Sequence, residues 1–207
     1  MYPETVDKKT ESVLAKIKKL EWIKNFYLAG GTALAIQLGH RESIDLDFFS
    51  ESIFSVGEIK ETLSKIGDLT VDYEDEGTLA GVLDGVRISF FHYNYGQIFP
   101  LINFGEIFLA DERDISAMKI DTISSRGGKK DFTDIYFLMK KYPLAQLIGF
   151  FEEKYKNIRY NKLHILKSLV YFDDADNNPF PLMLVEFDWE KVKKEIEKEV
   201  KVITETN

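Results

Sequence analysis

The stretch from Phe26 to Ser50 restricts the possible folds more than any other part of the chain. An apolar run, Phe26-Tyr27-Leu28-Ala29, is interrupted by Gly30-Gly31, resumes as Thr32 to Leu38, and stops at Gly39. It then turns through Arg41-Glu42-Ser43 and continues as Ile44 to Phe49. Four apolar residues are too few for a helix and suit a buried strand, while the longer run after the glycines suits a short apolar helix. The spacing therefore predicts a strand, a glycine turn, a helix and a second strand.

Around this unit the other elements follow from periodicity. Val13, Leu14, Ile17, Leu20 and Ile23 recur at helical spacing and predict an opening amphipathic helix over about Lys9 to Lys24. Val56 to Ile66 reads as a helix and Leu69 to Tyr73 as a strand. Thr78 to Leu83 and Val86 to Tyr93 flank Asp84-Gly85, a two-residue hairpin signal. After a loop containing Pro100, Ile107 to Ala110 predicts one more short strand.

Beyond that point the pattern is helical: Ile115 to Ser125, Asp131 to Lys140, Leu144 to Lys156, Lys162 to Phe172 and Trp189 to Ile203. Gly127-Gly128, Pro143 and Asn177-Asn178-Pro179 punctuate these segments. The order predicts an α+β chain with a small mixed sheet in the first half and helices in the second, divided near Asp111.

Composition bounds the chemistry. The 207 residues, 44% hydrophobic and 14% aromatic, can bury a sizeable core. Cysteine is absent, which removes disulfides, thiolate nucleophiles and zinc–thiolate sites. No apolar run approaches the ~20 residues that span a bilayer, and the N-terminus reaches charged residues at once, so a soluble cytoplasmic protein without membrane partners is expected. The net charge of −8 argues against a polyanionic partner, but it conceals a split. Glu42 to Asp84 holds twelve acids against Lys60 and Lys65, whereas Arg113 to Lys141 holds seven bases against four acids. On charge alone this describes two differently solvated surfaces; it also fits a cation-binding region beside one that handles phosphates.

The chemistry-bearing residues lie in the restricting segment. On a strand, residues two apart share a face, so Asp45 and Asp47 project together while Leu46 and Phe48 point the other way. Two adjacent carboxylates need a cation or a proton, and Mg²⁺ suits one or two carboxylates shared with substrate phosphates. Gly30 and Gly31 let backbone amides at the start of a helix approach phosphate oxygens, and Thr32 adds a hydroxyl. Downstream, Lys119 and Arg126 are spaced to share a helix face where they can meet phosphate charge. Lys130-Asp131 taken alone suits an ordinary helix cap, and Asp134 is placed to orient Arg126 or Lys130.

These two groups together resemble the motifs of the AbiEii/AbiGii toxin family of nucleotidyltransferases, members of the DNA polymerase β-like superfamily. The first is Gly30-Gly31-Thr32-Ala33-Leu34-Ala35 with Gly39-His40-Arg41-Glu42-Ser43-Ile44-Asp45-Leu46-Asp47-Phe48-Phe49. The second is Met118-Lys119, Arg126 and Lys129-Lys130-Asp131-Phe132-Thr133-Asp134-Ile135-Tyr136. The resemblance implies a polymerase β-like mixed sheet with flanking helices over residues 1–110, then a helical domain over 111–207 that completes the active site.

It further implies a metal-dependent transfer of a nucleoside monophosphate from an NTP to an acceptor hydroxyl, expected on RNA at a tRNA 3′ end. Asp45 and Asp47 would hold Mg²⁺ or Mn²⁺; Gly30, Gly31, Thr32, Arg41, Ser43 and Arg126 would bind nucleotide phosphates; Lys119 would contact phosphate, and Asp131 would act near the reaction. The chain would be the toxin of a type IV toxin–antitoxin or abortive-infection system, with its antitoxin encoded nearby. One departure stands out: the strand carrying a third carboxylate in polymerase β-like enzymes has none between Val86 and Tyr93, with Asp84 the nearest substitute. That departure keeps open a nucleotide-binding regulatory protein without turnover; a small-molecule nucleotidyltransferase of the aminoglycoside-modifying kind is the other alternative.

Other sites have little support. His40, His92 and His164 are too scattered for a metal centre, and the run from Asp174 lacks the glycine and closing glutamate of a calcium loop. No P-loop or Gly-x-Ser-x-Gly elbow is present. Lys154 to Lys167 interleaves bases with Tyr155 and Tyr160, so Lys156, Arg159 and Lys162 are candidate acceptor-binding residues, unless the tyrosines belong to the core.

Overall fold

The computed structural model describes residues 1–206, which form two compact units, Met1–Asp111 and a second from Glu112 onward. The first unit opens with helix α1, Lys8–Ile17, whose N-terminus is capped by the Asp7 carboxylate accepting from the Thr10 N–H at 2.7 Å. The expected longer helix is broken here: Leu20 is extended, and Glu21–Asn25 forms a 3₁₀ turn. Ile23 stays buried across the break, which is why the apolar spacing read as continuous.

Strand β1 (Tyr27–Leu28) leads into α2 (Gly30–Leu38), which ends at Gly39 in the left-handed conformation. Strand β2 is Leu46–Ser50, so Asp45 lies just ahead of it. Helix α3, Val56–Ile66, is capped by Ser55, whose hydroxyl accepts from the Glu58 N–H. Strands β3 (Leu69–Asp75), β4 (Thr78–Leu83) and β5 (Val86–His92) follow. The β4–β5 turn has φ 48° at Asp84 and 75° at Gly85, the double left-handed geometry its sequence announced. Strand β6 (Ile102–Phe104), absent from the sequence reading, pairs with β7 (Ile107–Leu109) across a two-residue turn that starts at Gly105, φ 67°.

The sheet order is β3-β4-β5-β2-β1-β7-β6, with β2 parallel to β5, β1 parallel to β7 and the other pairs antiparallel. It is a mixed sheet, as expected, with β2 near its middle. Alternate residues of β2, Leu46, Phe48 and Ser50, are buried, and Phe48 stacks on Phe90 of β5 at 5.1 Å. Trp22 and Phe26 meet the same Phe90 edge-on, so one aromatic cluster fixes how the 3₁₀ turn and the central strands pack. The opposite side of β2 is left to Asp47 and Phe49.

In the second unit, α4 (Glu112–Arg126) packs with α5 (Lys129–Met139), α6 (Leu144–Lys154) and α7 (Lys162–Ser168). Helix α9 (Trp189–Thr206) lies against α5 and α6. The helix expected over Lys162 to Phe172 ends at Ser168, and a separate short helix that the sequence reading did not include, α8 (Asp173–Asp176), follows beyond its expected end. Ile115, Ile120, Phe132, Ile135, Leu147, Phe151 and Val192 are core residues, yet α4 also buries Glu112, Asp114, Ser116 and Lys119. Among the described residues no helix is long and apolar enough to cross a membrane.

Candidate active site

The first unit gathers the glycine turn and the paired acids around one helix start. The Ala29 N–H donates to the Asp47 carbonyl at 3.0 Å, extending the β1–β2 pairing to the residue before α2. Gly30 then takes φ 65°, a conformation in which a side chain is strained. A Cβ on Gly30 would lie 2.9 Å from the Asp47 Oδ2, so the Asp47 carboxylate sits directly against the turn. Here the amides of the first helical turn lack intrahelical acceptors and carry the positive end of the helix dipole.

Thr32 has a different part from the one its sequence suggested. Its side chain is 1% exposed, and its hydroxyl donates to the Asp45 carbonyl while also lying 3.0 Å from the Ser43 hydroxyl. A carbonyl only accepts and a threonine has one hydroxyl proton, so Ser43 must donate to Thr32. Thr32 and Ser43 thus tie α2 to the segment entering β2 and fix the backbone of Asp45. The expected phosphate contact from the Thr32 hydroxyl is corrected accordingly, because that proton is already committed and the group is buried.

Arg41 is likewise buried, at 2% exposure. Its Nη1 donates to the Glu42 carbonyl at 3.0 Å, and its Nη2 would be 2.5 Å from a Cβ on Gly31. Gly31 is therefore the space that admits the guanidinium, and Arg41 places a fixed positive charge beside the first turn of α2.

Asp45 and Asp47 are half-buried and supply the acidic oxygens. In register with Asp47 on β5 stands Ser89. Asp84 does not replace it: the Lys16 ammonium at 2.7 Å and the Asp68 N–H at 2.9 Å occupy its oxygens and hold its carboxyl below the usual range. Among the described residues no cluster of three or more histidine or acidic side chains is arranged for a metal. The donor set that remains, two carboxylates beside an open helix start, suits a hard cation that completes its shell with water and phosphate oxygens.

In the second unit the later motif forms a charge cluster of its own. The Lys119 ammonium lies 2.7 Å from Asp131 Oδ1 and 2.8 Å from Asp134 Oδ2. The second oxygen of Asp131 accepts from the Gly128 N–H at 3.2 Å, so this carboxylate caps α5 and pairs with Lys119 at once. Spacing alone did not show that Asp134 meets Lys119. The side chains of Lys119 and Asp131 keep 11% and 17% exposure, whereas that of Asp134 is sealed.

Lys129 stands in the second motif, but sequence reasoning gave it no role. It is 3% exposed, and its ammonium donates to the Asn178 carbonyl at 2.7 Å while lying 4.0 Å from the Phe180 ring centroid. It fastens the 176–180 segment. Asp176, suspected of calcium binding and rejected, accepts from the Trp189 indole at 2.6 Å and meets Lys193, which together hold its carboxyl below the usual range.

Arg126 and Lys119 lie on α4 as spaced, but their surroundings differ. Arg126 is exposed at the helix end and lines a cleft that does not include Lys119. Residues 154–167, whose tyrosines the sequence leaves open between a binding surface and the core, divide between the two. Tyr155 is a core residue at 1% exposure, and Lys154 is buried in an ion pair with Asp114. Lys156, Arg159 and Lys162 are all exposed, with Lys156 ion-paired to Glu153 and Lys162 to Glu152.

Comparisons with known proteins bear on the family and the fold. A family model described as Nucleotidyl transferase AbiEii toxin, Type IV TA system, matches residues 12–202. An uncharacterised protein of Aquifex aeolicus (strain VF5) is 39% identical over 204 residues, spanning 94% of this chain and 95% of that one. A candidate nucleotidyltransferase from Helicobacter pylori superposes with a TM-score of 0.63 at 18% identity, covering 95% of this chain and 94% of its own. JHP933 from Helicobacter pylori gives 0.59 at 17% identity, covering 97% and 94%. At such identities the two structures speak for a shared fold.

Proposed function

The chain belongs to the nucleotidyltransferase AbiEii toxin family and has an α+β, polymerase β-like fold, and on that footing we propose that it transfers a nucleoside monophosphate from an NTP to an acceptor hydroxyl on RNA, with a tRNA 3′ end as the expected acceptor. The observation that carries this reading is the Asp47 carboxylate lying against the Gly30 turn at the start of α2. An acid and a helix N-terminus attract opposite charges, and a magnesium nucleotide presents both: a cation to the acid and phosphates to the amides.

Asp45 and Asp47 are the residues that would hold Mg²⁺ or Mn²⁺. When bound, such an ion withdraws charge from the triphosphate and favours departure of pyrophosphate. Gly30 and Gly31 would present the first-turn amides of α2 to phosphate oxygens, and the buried Arg41, seated against Gly31, strengthens the positive potential there. Thr32 and Ser43 position Asp45 through its backbone. In the second unit, what the family resemblance implies is that Lys119, held by Asp131 and Asp134, would contact phosphate and that Asp131 would assist or orient the acceptor. These are roles of placement and electrostatic stabilisation, the main resources of phosphoryl-type transfer.

As a family described for type IV toxin–antitoxin systems implies, the cellular role proposed is that of a toxin whose partner gene supplies the antitoxin. Serine in register with Asp47, where a third acid would stand, favours one other reading: a nucleotide-binding protein without turnover. Incubation with Mg²⁺, each labelled NTP in turn and total tRNA separates the two. Label on tRNA supports transfer. Tight NTP binding without label on any acceptor supports the binding protein, and unchanged Mg²⁺–NTP affinity after Asp45→Ala and Asp47→Ala removes the nucleotide site itself.

A further inference from the structure

Within the second unit, the end of α4 and the helices α7 and α8 enclose a cleft of about 380 Å³. Arg126, His164, Lys167, Tyr171 and Asp174 line it together with three serines. These residues come from parts of the sequence some forty positions apart, and none belongs to the Lys119–Asp131–Asp134 cluster. Its volume matches that of a ligand site rather than a packing defect.

Three features describe the ligand. Arg126 and Lys167 are exposed, and among the described residues neither forms an ion pair, whereas Lys156 and Lys162 nearby are matched by glutamates. Tyr171 is 53% exposed and forms part of the wall, leaving a large aromatic face to water. The His164 Nε2 lies 2.9 Å from the Ser124 carbonyl and so covers one of the open carbonyls at the α4 C-terminus. This offsets the negative end of that helix, which would otherwise repel a phosphate.

Unmatched cations beside an exposed ring fit a nucleotide unit: a base to stack and a phosphate to neutralise. The charge count favours a strand of RNA over a free triphosphate. Arg126 and Lys167, with Asp174 facing the same space, leave a small positive excess that matches one backbone phosphate. It falls short of a triphosphate, and a single carboxylate there gives poor support to its magnesium ion.

We propose that this cleft seats an unpaired nucleotide of the RNA acceptor, its base on Tyr171 and its phosphate against Arg126 and Lys167. The proposal rests on the RNA-transfer reading above and names the surface by which the acceptor is held.

The test uses the full chain, a short fluorescein-labelled single-stranded RNA read by anisotropy, and Mg²⁺–NTP affinity read by calorimetry. Melting curves confirm that each variant is folded, which its exposed position favours. Tyr171→Ala and Lys167→Glu should each weaken RNA binding on the order of tenfold, while Tyr171→Phe keeps wild-type affinity because the stacking face survives. Lys167→Ala should reduce the log–log salt slope of binding by about 0.7, the share of one phosphate contact on a single strand. Mg²⁺–NTP affinity should stay at the wild-type value in all of them.

Unchanged RNA affinity in Tyr171→Ala and Lys167→Glu overturns the proposal, as does a parallel loss of NTP binding. Displacement of the RNA by free NTP that Lys167→Glu abolishes also overturns it, by giving the cleft to the nucleotide. If the wild-type chain binds no RNA, this inference fails; Mg²⁺–NTP binding that needs Asp45 and Asp47 would still leave the nucleotide site standing.

Discussion

Gly30→Ala tests the link between the glycine turn and the acids with a single methyl group. The residue sits at φ 65°, and the new Cβ would stand 2.9 Å from Asp47 Oδ2 and 3.6 Å from Asp47 Cβ. An L side chain in the left-handed region costs ~1–2 kcal/mol. For a chain of this size that lowers Tm by roughly 2–8 °C. The contact with Oδ2 adds a second effect, because a carbon and an oxygen cannot rest that close and the carboxylate has to swing away from the turn. Calorimetric melting reads the first effect and Mg²⁺–NTP titration the second. In an Asp47→Ala background the clash is gone but the backbone strain remains, so the stability loss from Gly30→Ala should shrink without vanishing. Gly149 in α6 is the control, since a Cβ there meets nothing within 4 Å; Gly149→Ala should stabilise by about 0.5–1 kcal/mol. A Gly30→Ala protein that melts with the wild type and binds Mg²⁺–NTP equally well would refute the geometry on which the active-site reading stands.

Asp84→Asn gives a pH-dependent effect. The Lys16 hydrogen bond, the Asp68 N–H and the Lys16 charge lower the folded carboxyl below its unfolded value, so its stabilisation is full above about pH 4 and is lost as pH falls through the folded pKa. The Tm difference between wild type and variant should be constant from neutral pH down to that point and then close; a difference that widens in acid contradicts the assignment. Asp134→Asn removes the sealed carboxylate charge beside Lys119 and should cost roughly 1–3 kcal/mol. In the transfer assay it should lower kcat more than it raises the KM for NTP, and a pure KM effect would deny Asp134 a positioning role. Asp114 and Lys154, whose side chains are both fully buried 2.8 Å apart, should behave as a unit: Lys154→Met alone destabilises by ~3–5 kcal/mol, while Asp114→Leu with Lys154→Met recovers most of it. Additive losses in urea melts would show that the two do not depend on each other.

Local signals carried most of the fold. Helix α3 was legible to the residue because Ser55 and Glu58 spell a cap and Gly67 an end, and the β4–β5 hairpin because Asp84-Gly85 tolerates two left-handed residues. Short elements were harder. Strand β6 is three residues long and owes its existence to its partner β7 and the Gly105 turn rather than to its own pattern. In the site, the identity of the acids and glycines could be read, but not the use of each group. A threonine after two glycines offers a hydroxyl in any sequence; only the fold shows that its proton is spent on the Asp45 carbonyl. Tyr155 and Lys154 looked like a binding surface because aromatic and basic residues alternate there, yet burial is decided by α4, forty residues away. The Arg126–Lys167–Tyr171 cleft was hidden for the same reason, being assembled from segments that sequence spacing cannot bring together.

Helix α4 shows how structure and chemistry divide among buried charges. Three of its charged side chains meet five partners: Glu112 with Lys141 and the Tyr142 hydroxyl, Asp114 with Lys154, and Lys119 with Asp131 and Asp134. Burying so much charge costs desolvation that ion pairing seldom recovers in full, so each group needs a separate reason to persist. The Asp114–Lys154 pair is closed to solvent on both sides. No ligand can reach it, and its part is confined to fixing how α4 and α6 pack. Lys119 differs because one of its two acids is sealed and the other is partly open. The sealed Asp134 holds the ammonium in place whatever binds outside, while the pairing with Asp131 can be exchanged for a phosphate oxygen without leaving the charge unmatched. On the proposed role, a lysine with a permanent partner behind and an exchangeable one in front would be ready for an anion before it arrives, the preorganisation that electrostatic catalysis requires.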